Sequence, residues 1–126
     1  MSTVKANDLM KVDGGIPTVK GQKLIPTAWV NFNGSGAVAI RDSENVSSIT
    51  DNGTGMYTVN FATTLNDINY TSVGMAGATT NDQASVYQPI SGHAPTTTSC
   101  RYHTLYAHGA LYDTYFVGIT IMGGQA

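Results

Sequence analysis

The sequence predicts an all-β protein, an antiparallel β-sandwich or jelly-roll-like domain preceded by an extended N-terminal arm. Three observations carry this reading. Seven or eight short stretches alternate apolar with polar residues at turn-spaced intervals, and none has a convincing 3.6-residue period. Charged residues make up only 11% of the chain, well under the roughly 25% of ordinary domains, while Thr, Ser, Asn and Gly are abundant. Such a composition favours pleated strands and tight turns over helix. Residues 1–26 have neither period and are punctuated by Gly14-Gly15, Pro17, Gly21 and Pro26, so they read as an arm outside the core. With 126 residues the chain suits one core and is short for two, which divides it into an arm, 1–26, and a knob domain, 27–126.

From Thr27 each element is read in turn. Ala28, Val30 and Phe32 alternate with Trp29, Asn31 and Asn33; Gly34-Ser35-Gly36 then turns the chain into a strand at Ala37–Ile40. Val46–Thr50 leads into a hairpin whose turn is made of Asp51, Asn52, Gly53 and Gly55. In the returning strand Tyr57, Val59 and Phe61 face one way while Met56, Thr58 and Asn60 face the other. Tyr70–Ala76 is the next strand. Val86–Ile90 is a short edge strand, because Pro89 lacks the N–H that a central ladder position needs. Ser99–Tyr106 and Asp113–Met122 complete the set, the last placing Tyr115, Val117, Ile119 and Ile121 on one face. Val30, Phe32, Tyr57, Val59, Phe61, Val117 and Ile119 are the expected core. Internal repeats, heptads and shaft-forming motifs are absent.

The net charge of −2 hides an asymmetry. Every lysine, Lys5, Lys11, Lys20 and Lys23, lies in residues 1–26, which are +2 after Asp8 and Asp13 are counted. The remainder sets Arg41 and Arg101 against Asp42, Glu44, Asp51, Asp67, Asp82 and Asp113, and is −4. The lysines either serve solubility or make a basic anchoring arm that lies against an acidic partner. Fully extended, the arm would reach on the order of 80 Å at roughly 3.3 Å per residue, enough to cross a neighbouring subunit. Four spaced lysines make no dense basic patch, and the acidic remainder would repel phosphate, so a nucleic-acid partner is not expected. No apolar run reaches the roughly 20 residues of a membrane helix, and the first residues lack the apolar centre of a signal peptide, so assembly in the cytoplasm and no membrane partner are expected. The lone Cys100 has no internal disulfide partner and reads as a buried thiol.

The segment AWVNFNGSGAVAIRDSENVSSITDNGTGMYTVNF, Ala28 to Phe61, together with the opening MSTVKANDL, the Gly14-Gly15 pair, Asn66-Asp67-Ile68-Asn69-Tyr70 and the closing TYFVGITIMGG, resembles bacteriophage virion appendage proteins of the tail-fibre and tail-tip kind. The resemblance implies a virion surface protein, usually homotrimeric, with no enzymatic activity in the module itself. Relatives of this kind often sit within longer fibre chains, and this sequence has no shaft.

Residue chemistry points the same way. Asn33-Gly34-Ser35-Gly36 offers a glycine turn and no strained nucleophile elbow. The aspartates at 51, 67, 82 and 113 read as turn residues, although a fold that brought two of them 5 to 10 Å apart would suit glycoside cleavage. His93, His103 and His108 lack the spacing of a metal site within one chain, and no metal or other cofactor is expected. The densest aromatic patch holds Tyr102, Tyr106, Tyr112 and Tyr115. Tyrosine offers a flat apolar face and a hydroxyl, which fits a sandwich core, a subunit interface or a glycan contact. Two functional readings follow: a capsid cement or decoration protein that binds the major capsid protein or another virion protein through its arm, or a short tail-fibre protein that binds a host surface glycan.

Overall fold

The computed structural model describes residues 2–79, 84–106 and 108–125. Eight strands follow one another along the chain: β1 (Ala28–Asn33), β2 (Ala39–Glu44), β3 (Val46–Gly53), β4 (Met56–Phe61), β5 (Tyr70–Gly77), β6 (Ala84–Tyr87), β7 (Ser99–Tyr106) and β8 (Phe116–Gly123). They form two four-stranded sheets, ordered β2-β1-β8-β5 and β3-β4-β7-β6, and all pairings are antiparallel. The molecule is the all-β sandwich that the alternation predicts.

The pleat decides what is buried. Along β1, β4 and β8 every second residue is sealed from water and the ones between are half-exposed. The seven expected core residues are all buried, joined by Ala28, Ile121, Cys100 and Tyr102. Register brings them side by side: Val30 lies opposite Ile119, Phe32 opposite Val117, Val59 opposite Cys100 and Tyr57 opposite Tyr102. Edge-to-face ring pairs, Phe32 with Tyr57 at 5.2 Å and Phe61 with Tyr70 at 5.9 Å, fill the space between the sheets.

Connections are short where the sequence supplies turn chemistry. Thr54 and Gly55 join β3 to β4, and Gly53 and Gly55 take positive φ of 128° and 66°. Asn45 alone carries the chain from β2 in one sheet to β3 in the other, at φ 55°. Its side chain donates to the carbonyls of Thr27 and Thr63 and accepts from the Thr63 N–H, so the corner is fixed by hydrogen bonds. Asparagine suits this conformation because its short amide bonds the local backbone.

Several strand boundaries differ from the sequence reading. β2 runs on to Glu44, an edge strand with charged residues that discourage further pairing. The last strand begins at Phe116, and Tyr115 is 51% exposed instead of sharing the face of Val117, Ile119 and Ile121. The reason lies just upstream. Asp113 accepts from the Gly55 N–H and the Tyr57 hydroxyl, and the Thr114 carbonyl accepts from the Gly34 N–H, so residues 113–114 serve as a cross-link and the ladder starts after them. β6 is an edge strand as expected, but it spans Ala84–Tyr87 instead of Val86–Ile90 and ends before Pro89.

Residues 2–26 contain no strand, only an isolated bridge between Val19 and Gln22 across the Lys20-Gly21 turn. Asp82, one of the six acidic residues of the knob, and Ala107 lie outside the described residues.

The core defines two expected outcomes. Phe61→Ala should cost about 3 to 5 kcal/mol in denaturant unfolding, through the cavity left beside Tyr70. Burial raises the phenols of Tyr57, Tyr70 and Tyr102 well above their ordinary range. An unfolded chain ionises these groups from about pH 10 while the folded one resists, so stability should fall as pH rises through that value. A thermal unfolding series from pH 8 to 11 checks it.

Candidate functional site

The outward residues of the first sheet build a groove. On β1 these are Trp29 and Asn31, on β8 Phe116, Gly118 and Thr120, and on β5 Val73 and Met75. Gly118 forms the floor because it has no side chain between the taller neighbours, and the groove measures about 340 Å³. Val73 and Met75 are 67% and 62% exposed. At one end Arg41 lies over the Tyr115 ring at 4.5 Å from its centroid, donating to Asn31 Oδ1 at 3.1 Å and to the Tyr115 carbonyl at 2.7 Å. The arrangement offers a flat apolar bed with polar groups at its margin, the form that sugar rings and subunit contacts share.

The four tyrosines of the sequence patch do not stay together. Tyr102 is a core residue, donating or accepting with Ser72 Oγ at 2.7 Å, and is no surface contact. Tyr106 and Tyr112 stack edge to face at 5.3 Å beside the β7–β8 connection, with His108 against Tyr106 at 5.6 Å. Tyr115 belongs to the groove on the opposite sheet through Arg41. Tyr102 faces inward from the middle of β7, Tyr106 is that strand's last residue, and Tyr112 and Tyr115 lie in the connection to β8.

Of the lysines, Lys5 and Lys20 are exposed and Lys11 is half-buried. Lys23 donates to the Gln125 carbonyl at 3.2 Å and so sits at the root of the segment, against the knob. Val4, Leu9, Met10 and Val12 are exposed around the first two.

Several polar groups singled out in the sequence have structural partners. Ser35 N–H donates to Asn33 Oδ1 in a tight turn. Asp51 and Asp67 each accept from the backbone N–H two residues on, at 3.1 and 2.8 Å. No group of three or more His, Cys, Asp or Glu able to hold a metal occurs among the described residues. Cys100 is buried, and burial pushes its thiol up from the ordinary range.

His103 lies on the outer face of the second sheet. Its Nδ1 is 3.0 Å from the Tyr87 hydroxyl, and its Nε2 is buried with no hydrogen-bond partner among the described residues. Burial lowers its pKa, and the neighbouring Arg101 and His93 lower it further.

Trp29, Val73, Met75 and Phe116 were not singled out by sequence reasoning. The one available signal was a lone tryptophan on the outward phase of β1. Comparison with family models, curated proteins and solved structures returns no match.

Two glycines should respond oppositely to alanine. At Gly118 a Cβ would meet Met75 and Phe116 at 3.4 and 3.6 Å, ordinary contact, so Gly118→Ala should be neutral or stabilise by up to about 1 kcal/mol. At Gly34 it would stand 2.5 Å from the Tyr57 hydroxyl and 2.8 Å from the Thr114 carbonyl, so Gly34→Ala should destabilise by roughly 1 to 3 kcal/mol. Urea unfolding of the two variants checks the pair. For His103 the sign is acid-destabilising: below about pH 6.5 the unfolded chain binds a proton that the folded chain resists, so stability falls as pH drops. Melting temperatures from pH 7 to 5 should decline, and His103→Gln should flatten part of the decline.

Proposed function

We propose that this chain is a non-enzymatic surface protein of a bacteriophage particle, a capsid decoration or cement protein that assembles as a homotrimer in the host cytoplasm and attaches through residues 1–26. The observation that carries the proposal is the exposure of Val4, Leu9, Met10 and Val12 on backbone that joins neither sheet, beside Lys5 and Lys11. Apolar side chains grouped on such a segment gain free energy only by burial against another surface, and the lysines favour an acidic one. A clamp that binds only the assembled lattice stabilises it by mass action. Low surface charge and the apolar groove of the first sheet supply area for contact between copies. The resemblance over Ala28–Phe61 supports the virion setting.

A second reading has its own observation. The groove beside Trp29, with Asn31, Thr120 and the Arg41–Tyr115 pair at its margin, is suited to a host surface glycan and hence to a short tail-fibre or tail-tip protein. Filling it with Gly118→Trp should abolish glycan binding on this reading and leave attachment through the arm unchanged on the first.

Removing residues 1–26 should leave the knob folded and abolish co-sedimentation with particles that lack the protein. Lys5, Lys11, Lys20 and Lys23 replaced together by Ser should weaken attachment and reduce its salt sensitivity, since exposed charges are largely screened beyond about 10 Å at 0.1 M salt. Imaging the decorated particle separates head from tail. An arm-deleted protein that decorates as well as the intact one would overturn the anchoring role.

A further inference from the structure

On the outer face of the second sheet, away from the groove, Arg101 of β7 lies opposite Thr58 of β4, next to Ser99. Together with His93 and the backbone at Ala94 and Cys100 these residues line a cleft of about 150 Å³. No carboxylate lines it among the described residues. Arg101 Nη1 is 2.8 Å from His93 Nε2, its Nε is buried without a hydrogen-bond partner, and it forms no ion pair among the described residues. The Thr58 oxygen already accepts from Asn52 Nδ2 at 2.7 Å, which leaves its own O–H to donate. The Ser99 hydroxyl, 3.3 Å from the Thr96 hydroxyl, also lines the cleft.

A guanidinium on a knob of net negative charge, with two hydroxyl side chains beside it on a cleft of this size, is arranged for a negative guest. We propose that this cleft binds one oxyanion group, sulfate, phosphate or carboxylate. Arg101 supplies the charge and a forked donor, Thr58 and Ser99 supply hydroxyls, and His93, which shares the lining, holds the guanidinium through Nη1. Guanidinium geometry favours two parallel N–H···O bonds to one oxyanion, which a lysine at the same position does not reproduce. The site is independent of the arm and of the groove, so it stands or falls apart from the virion reading.

The test is an amide and side-chain NMR titration of the full chain with sodium sulfate and, separately, sodium glucuronate, at constant ionic strength with chloride as background. Saturable shifts centred on Thr58, Ser99 and Arg101 are expected. Arg101→Gln should abolish them, and Arg101→Lys should weaken binding by about tenfold. Thr58→Val, which leaves the arginine intact, should weaken binding several-fold, and an otherwise unchanged spectrum shows that each variant is folded. Tighter binding of glucuronate than of sulfate assigns the guest to an acidic saccharide; the reverse assigns it to a tetrahedral anion. Shifts that never saturate, that spread over the lysines, or that survive Arg101→Gln overturn the proposal.

Discussion

The sandwich is held at one end by a single phenol. Tyr57 enters the core from β4, packs edge-on against Phe32 of the other sheet, and carries its hydroxyl to the Gly34 carbonyl at 2.8 Å and to Asp113 Oδ1 at 3.0 Å. One side chain thereby joins β4, the β1–β2 turn and the β7–β8 connection. The same carboxylate oxygen accepts from Gly55 N–H at 2.7 Å, which fixes the β3–β4 turn to the same point. Leaving any of these buried polar groups unpaired costs more than one ordinary hydrogen bond contributes, so the four segments are held as a unit. The opposite end is pinned by Asn45, the one residue between β2 and β3.

With both ends fixed, the two sheets differ in what they present outside. The first shows water a groove of Trp29, Met75 and Phe116 over a glycine floor. The second is polar, with Thr58, Arg101 and Ser99 around a small cleft and the Tyr87–His103 pair beside it. An antiparallel sheet needs only one buried face, so each outer face is free to take on a binding task without disturbing the core. The segment before Thr27 contributes a third surface, carried on backbone that joins neither sheet. Three surfaces of different chemistry thus share one small fold.

Turn residues show how local and tertiary demands overlap. In Gly34-Ser35-Gly36, Gly36 is at φ 65° with open space around it, so its role is conformational. Gly34 has no such φ, and instead leaves room for the Tyr57 hydroxyl and the Thr114 carbonyl. Gly55 answers both demands: its φ is 66°, and a Cβ would stand 2.6 Å from the Thr104 carbonyl. Sequence reading assigned all of them to turns, and for Gly34 the turn is the lesser reason.

What the sequence by itself determined is whatever the pleat and the turn enforce locally. Alternation in Ala28–Asn33 and Met56–Phe61 named the buried face residue by residue, because successive side chains of a strand must point to opposite sides. Asp51 to Gly55 named the hairpin, because backbone conformation is a property of the residues themselves. Only the tertiary structure decided which strands became neighbours. The groove unites Trp29, Met75 and Gly118, and the cleft unites Thr58, His93 and Arg101, across tens of residues each. Tyr115 shows the limit most clearly. It continued the phase of Val117, Ile119 and Ile121, yet Asp113 two residues earlier was claimed by Tyr57 and Gly55 from another part of the chain, and a contact between distant residues is a fact about packing that no local period records.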